Sequence, residues 1–261
     1  MKFSIITVSL NSGPKLLETV ENILKQTYKD FEIIVKDGGS TDESLSKVKD
    51  LNSPFVKVVE TPDKGIYDAM NEAVKYATGD YVLFLNAGDK FYSGDVLERV
   101  ARLDLPESGA IVYGDTYFVA WDSLSKAPSK ITGSVCYRNI PNHQAIFYSK
   151  DVLTERGFDT SYKIRADFEH FAYSYFKAHR KFIYADLPVN FYEGRGVSEA
   201  KENKRLDKKE YNRAVRSNIP LGNRFIYRAT LILTLHKLRG ALAHNPKTAK
   251  LYQKLKGKLY G

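Results

Sequence analysis

Apolar and polar residues alternate in two rhythms over the first hundred positions. Residues 3–8 form a short β-branched run, which predicts a strand, and Asn11, Ser12, Gly13 and Pro14 break it and start a helix. Leu16, Leu17, Val20, Ile23 and Leu24 then recur at i, i+1, i+4, i+7 and i+8, the apolar face of that helix. Residues 31–35 predict a second strand running out to Asp37, followed by Gly38-Gly39-Ser40-Thr41, with Ser40 and Glu43 spaced as a capping box. A third strand is expected at 56–59. Asp63-Lys64-Gly65 then turns into a helix with Ile66, Met70, Ala73, Val74 and Ala77 on one side. Residues 81–85 are apolar without interruption, as in a parallel strand covered on both faces, and they end in Asn86-Ala87-Gly88-Asp89.

This alternation predicts an α/β fold: a mainly parallel sheet flanked by helices. After Asp89 the pattern loosens. Residues 96–103 read as helix and 110–113 as strand, and the aromatic, Gly/Pro-punctuated stretch 118–148 reads as antiparallel strands and loops. Residues 167–179 predict a helix rich in Phe and Tyr, and 182–185 another strand. There are no internal repeats. One α/β domain is expected over residues 1–200, with a basic helical tail over 201–261.

Charge separates the two parts. The chain of 261 residues carries a net charge of +9, but residues 201–261 hold 10 Lys and 6 Arg against Glu202, Asp207 and Glu210, a net +13, which leaves −4 for the first 200. A basic tail on a mildly acidic body points to an anionic surface as partner. The single cysteine, Cys136, excludes an internal disulfide and a Cys-based zinc site and fits a reducing compartment. Residues 1–8 lack the layout of a signal peptide, and no stretch approaches the roughly 18 apolar residues of a spanning helix, so a cytoplasmic protein is expected.

In open α/β sheets, ligands bind beyond the carboxyl ends of the strands. Asp37, Lys64 and Asp89 follow three successive predicted strands, which places them on one rim. Asp89, on a tight turn, suits a divalent cation and the phosphates it bridges, or else caps the next helix. Asp37 suits a base or ribose contact, or else is a turn residue. Lys64 lies beside a helix N-terminus that favours anions, or else is a solvated loop lysine. No G-x-G-x-x-G follows the first strand, so a dinucleotide site is not expected.

Five ordered blocks carry a resemblance. They are Ile5-Ile6-Thr7-Val8-Ser9-Leu10-Asn11; Gln26-Thr27-Tyr28 before Phe31-Glu32-Ile33-Ile34-Val35; Asp37-Gly38-Gly39-Ser40-Thr41-Asp42; Asp63-Lys64-Gly65-Ile66-Tyr67-Asp68-Ala69-Met70-Asn71; and Asn86-Ala87-Gly88-Asp89. Together they resemble family 2 glycosyltransferases of the GT-A fold, a Rossmann-like architecture, densely over residues 3–90 and more thinly to about 200. Within that family the chain is most similar to bacterial enzymes that assemble capsule, exopolysaccharide or O-antigen units.

The resemblance implies a nucleotide-sugar donor lying over the rim. Its contacts would be Thr7 and Ser9 along base and ribose, Asp37 on the base (most often uracil), and Ser40, Lys64, Asn86 and Arg195. Asp89 matches the last Asp of the family's D-x-D-like motif and would bind a divalent metal ion, Mg2+ or Mn2+. Asn86 stands where the first Asp is usual, and its amide would face ribose or a metal-bound water. Asp167, in Arg165-Ala166-Asp167-Phe168-Glu169, matches the general base, with Glu169 as the fallback. An acidic residue there could instead serve only the helix dipole. Asn142-His143-Gln144 resembles an H-Q pair near donor and acceptor, although His143 also reads as an ordinary strand-end histidine. Glu193-Gly194-Arg195-Gly196-Val197-Ser198 resembles a glycine loop closing over the diphosphate, with Arg195 able to clamp phosphate, or else a solvated arginine.

In the tail, Phe225, Ile226, Ala229, Ile232, Leu233 and Leu235 form an apolar side near Arg224, Arg228, Lys237 and Arg239. That pattern suits the surface of an anionic membrane, or else packing on the catalytic domain or in a homodimer. No nucleic-acid motif accompanies the charge, so nucleic acid is not an expected partner. The expected activity is inverting, metal-assisted transfer of a sugar from a nucleotide-diphosphate donor, a UDP-sugar, to a saccharide or lipid-linked acceptor at the inner face of a bacterial membrane. The alternatives are a non-catalytic sugar-nucleotide-binding subunit of an assembly complex and a nucleotidyltransferase. The latter would need a glycine- and basic-rich first loop, of which Asn11-Ser12-Gly13-Pro14-Lys15 is a poor version.

Overall fold

The first strand, β1 (Phe3–Ser9), is buried at all seven residues, and the rest of the sheet grows from it. The structure, a computed structural model, describes residues 1–194 and 201–233. Pro14 opens α1 (Pro14–Leu24), where its missing N–H costs nothing, and Leu16, Thr19, Val20 and Ile23 are buried. Next come β2 (Phe31–Asp37), α2 (Ser44–Lys49), β3 (Val56–Glu60), α3 (Ile66–Val74) and β4 (Tyr81–Phe84). These four strands are parallel in the order β3-β2-β1-β4, with Phe3 opposite both Phe31 and Tyr81 and Ser9 opposite Asp37. Ile5, Ile33 and Leu83 pack with Leu16, Val20 and Ile23 of α1. By the two-residue strand period, Ile6, Ile34 and Phe84 face the opposite side, where α3 crosses β1 and β2. Helices therefore cover both faces, which explains the uninterrupted apolar run of β4.

Beyond β4 the sheet becomes mixed. The chain continues through β5 (Lys90–Phe91), α4 (Val96–Ala101), β6 (Ala110–Phe118), β7 (Ser123–Ser125), α5 (Gly133–Arg138), β8 (Ile146–Ser149), α6 (Lys150–Glu155), α7 (Ala166–Phe176) and β9 (Lys181–Tyr192). β8 lies antiparallel between β4 and β6, β9 runs parallel to β6, and β5 returns antiparallel on β9. The expected parallel character thus holds for half of the sheet. The antiparallel β8 enters at the rim where β4 ends, so the residues just before it sit beside the Asn86–Asp89 turn.

Two expected features come out differently. Ser40 and Glu43 form no capping box: the side chain before α2 makes no cap bond, and Ser40 Oγ donates to Asp37 Oδ2 instead, at 2.5 Å. The domain boundary moves as well. The chain divides into two compact units, residues 1–218 and 219–261, so α8 (Lys204–Asn218) belongs to the first. Two of the few acids in the basic segment are responsible. Glu210, 5% exposed, accepts N–H bonds from Lys163, Ile164 and Arg165 at 2.8, 2.9 and 3.0 Å. Asp207 takes a two-pronged bond from Arg165 at 2.6 and 3.1 Å.

In the second unit the described helix is α9 (Leu221–Leu233). None of its residues is buried, and Leu221, Phe225, Ile226, Ile232 and Leu233 are all exposed. Leu235, Lys237 and Arg239 lie outside the described residues. Among the described residues no helix is long and apolar enough to cross a membrane.

Candidate active site

The ends of β1 and β2 are cross-braced. Asn11, at φ 50°, accepts from the Thr41 N–H at 2.8 Å, and its own N–H donates to Ser40 Oγ at 2.8 Å. The Asp37 carboxylate is engaged inside its own turn, since Oδ1 accepts from Gly39 N–H at 2.9 Å and from Ser40 N–H at 2.7 Å. At 1% exposure it offers no open surface, and its visible work is to shape the Gly38–Gly39–Ser40 backbone. Thr7 differs from expectation for the same reason: it is fully buried, and its hydroxyl donates to the Leu85 carbonyl at 2.8 Å, tying β1 to the end of β4. Ser9 donates to Ser12 at 2.9 Å. Each of these hydroxyls stiffens the rim.

Lys64 is placed by a residue that the motifs do not single out. Lys36 is fully buried, and its ammonium gives all three protons to neighbours, the Asp37 carbonyl at 3.0 Å, the Thr61 carbonyl at 2.5 Å and Asp63 Oδ2 at 3.2 Å. This staples the β3–α3 turn to the end of β2. A Cβ on Gly38 would stand 2.5 Å from Asp63 Oδ2, so a larger residue there would displace the Asp63 carboxylate that Lys36 holds. Lys64 follows, exposed, its N–H donating to Asp68 Oδ2 at 2.8 Å. The signal was available: a lysine in the last turn of an otherwise apolar strand needs a buried partner.

The β4 turn is held from α1, where Thr19 Oγ1 donates to the Asp89 carbonyl and accepts from Gly88 N–H, both at 2.9 Å. The Asp89 carboxyl is pushed up to about 7, chiefly by burial and further by Glu193, against the opposing pull of Gln144 and Lys15. Gln144 Nε2 donates to Asp89 Oδ2 at 3.0 Å. Asn86 Oδ1 is buried and without a partner. A divalent cation would suit these two groups, satisfying the bare amide oxygen and offsetting the cost of the half-buried carboxylate. Among the described residues no group of three His, Cys, Asp or Glu side chains forms a metal cage. Arg195 lies outside the described residues.

Asp167 stands in the first turn of α7, where the helix dipole favours a carboxylate. Tyr67 of α3 donates to its Oδ1 at 3.1 Å and lies 2.6 Å from the Ile164 carbonyl. Glu169, the fallback base, is committed elsewhere. It is 4% exposed, accepts from Arg156 at 2.8 and 2.9 Å and from Asn218 at 3.0 Å, and so anchors α7. His143 is buried in an aromatic box, stacked on Phe84 at 5.3 Å with Phe158 and Tyr148 edge-on or tilted beside it. Burial lowers its pKa, and Asp167 opposes that shift. Both of its ring nitrogens lack partners. His143 and Gln144 are consecutive, so one short segment touches Asp89 through one residue and lies within the field of Asp167 through the other.

Known proteins share this architecture. The family model "Glycosyl transferase family 2" matches residues 4–197, and the chain is a member of that glycosyltransferase family. A PGL/p-HBAD biosynthesis glycosyltransferase of Mycobacterium bovis is 36% identical over 173 residues, 64% of this chain and 67% of its own. An Escherichia coli protein, UDP-Glc:alpha-D-GlcNAc-diphosphoundecaprenol beta-1,3-glucosyltransferase WfgD, is 30% identical over 140 residues, 52% of this chain and 55% of its own. Among solved structures, Staphylococcus aureus TarS 1-349 in complex with UDP superposes with TM-score 0.67 at 23% identity over 84% of this chain and 65% of its own. The mannosyltransferase PcManGT from Pyrobaculum calidifontis, in complex with GDP-Man and Mn2+, gives 0.66 at 20% identity over 100% of this chain and 76% of its own. The fold is the GT-A α/β fold of these enzymes.

Proposed function

We propose that the protein transfers a sugar, with inversion, from a UDP-sugar to a lipid-linked or growing saccharide in cell-surface polysaccharide synthesis. The observation that carries this reading is an underpartnered turn at Asn86 and Asp89 linked through the His143–Gln144 segment to a separate carboxylate, Asp167. The UDP bound to TarS and the diphosphoundecaprenol acceptor in the name of WfgD support the donor and acceptor classes.

The shaped backbone at Gly38–Ser40, with Ser9 below it, receives base and ribose, Asp37 acting through the turn it holds. Lys64 approaches the phosphates. Asn86 and Asp89 would hold Mg2+ or Mn2+, and the ion would supply neutralising charge for the departing diphosphate. Asp167 takes the proton of the acceptor hydroxyl as that oxygen bonds to the anomeric carbon and the bond to diphosphate breaks, the electron pair leaving with UDP. The exposed apolar residues of α9 beside Arg224 and Arg228 rest on an anionic membrane surface at its cytoplasmic face; this is our reading of the tail, with a homodimer contact as the alternative outcome of a sedimentation measurement.

A thermal-shift panel of UDP, GDP, dTDP and CMP, each with and without Mn2+, tests the donor class. UDP with Mn2+ should give the largest shift. A larger shift with GDP, or equal shifts with and without metal, would contradict the reading.

A further inference from the structure

The phenol of Tyr67 has one proton and two acceptors within reach. The Ile164 carbonyl is 2.6 Å away and Asp167 Oδ1 is 3.1 Å away. Tyr67 is only 7% exposed, so no water stands in for a missing bond. We propose that Tyr67 is a positioning residue that keeps Asp167 hydrogen-bonded in both of its charge states; the inference rests on Asp167 being the base.

With Asp167 ionised, the phenol proton points at Oδ1. When Asp167 has taken the acceptor's proton, its new O–H donates to the phenol oxygen and the phenol proton turns to the Ile164 carbonyl. The Asp167 carboxyl keeps a partner in either state, and the bond that switches is the phenol's own, so the reorganisation on proton arrival is small. The helix that carries Tyr67 is fixed to the same loop at a second point. One turn on, Asn71 donates to the Phe158 carbonyl and accepts from the Phe158 N–H, both at 2.8 Å. A Cβ on Gly157 would stand 2.6 Å from Asn71 Oδ1, so the loop is moulded to that contact. Thus α3, which starts at the Lys64 turn, also sets the position of the base.

The charged and titratable groups facing Asp167 are Tyr67 from α3, His143 and Tyr148 from the β8 side, and Arg165 from the start of α7; Glu210 of α8 faces Tyr67. Among them Tyr67 is the one whose hydroxyl bonds the carboxylate directly.

The experiment is the pH dependence of donor turnover by the full-length protein, for wild type, Tyr67→Phe and Asp167→Asn, with melting temperature and UDP binding measured on each. Tyr67→Phe should lower kcat about tenfold or more while KM for the donor stays within about twofold. It should also move the acid limb of the profile up by about one pH unit, because the stronger, charge-assisted bond is the one lost. Should Tyr67→Phe fail to fold, 3-fluorotyrosine at position 67 serves instead. As a better donor and poorer acceptor it should move the limb down. Wild-type kcat and an unmoved limb in these variants, beside an inactive Asp167→Asn, would overturn the Tyr67 role alone. A fully active Asp167→Asn would overturn the base assignment and this inference with it.

Discussion

Asp167→Asn should lower transfer by about 10²- to 10⁴-fold, the usual contribution of a positioned general base, with little change in donor KM. The substitution is a clean probe because an asparagine oxygen still accepts the Tyr67 bond, so the first turn of α7 keeps its packing. What is lost is the ability to take a proton. Glu169 offers no rescue. It is buried in an ion pair with Arg156, and moving it would strand the Arg156 guanidinium and the Asn218 amide that it satisfies. Steady-state release of nucleoside diphosphate in the presence of acceptor measures the effect, and retention of more than a tenth of the wild-type rate would remove Asp167 from the role.

Asp89→Asn should separate stability from activity. In the metal-free protein the Asp89 carboxyl titrates near 7 instead of at its ordinary 3.8. Between those values the native state holds a proton that the unfolded chain has released, so stability falls as pH rises through the window. Above it the native state carries the whole cost of a buried charge, roughly 2–4 kcal/mol. Asparagine removes that cost and can still accept from Gln144. At pH 8 without metal, Asp89→Asn should therefore melt above wild type. With Mn2+ the order should reverse, because the wild type gains a bound cation and the variant gains none. Turnover should fall about 10²- to 10³-fold, the scale of a lost charge-stabilising contact. For the wild type, apparent Mn2+ affinity should drop as pH falls below about 7, where proton and metal compete for one carboxylate. A variant that melts below wild type in metal-free buffer would show that Asp89 stabilises the fold instead of serving a cation.

The parts of this molecule that the sequence made legible are those where one period runs long enough to register. The face of α1 and the apolar runs of β1, β2 and β4 could be read directly, because each is packed along its length; on α3 the expected Ile66 is exposed and Tyr67 takes the buried place. The stretch after Asp89 could not. β5 and β7 span two and three residues, too short for any period to register. β9 runs twelve residues, where the sequence showed a strand only over 182–185, before the interruption at Asp186-Leu187-Pro188. The interruption is absorbed by register shifts around Asp115, where Gly114 admits the Leu187 carbonyl and the Val189 side chain that a Cβ would meet at 2.7 and 2.6 Å.

For the site, motif order located the rim, while the division of labour along it needed coordinates. Thr7 and Asp37 look like ligand contacts in sequence, yet their polar atoms hold neighbouring loops. Lys36 and Tyr67 look like framework, yet they position the groups around which the chemistry is proposed. A side chain's type says what it can bond; only the fold decides which partner it meets first. The tail repeated the lesson. Its net charge hid Asp207 and Glu210, whose bonds to the loop before α7 draw α8 into the catalytic unit.

The decisive experiment is an NMR-monitored transfer reaction with full-length protein, UDP-sugars, Mn2+ and a polyprenyl-diphosphate-linked saccharide, run in parallel with Asp167→Asn. The predicted result is stoichiometric UDP release with a product of inverted anomeric configuration from the wild type, suppressed by EDTA and lost in the variant. UDP binding without turnover of any donor and acceptor pair, or a product of retained configuration, would contradict it.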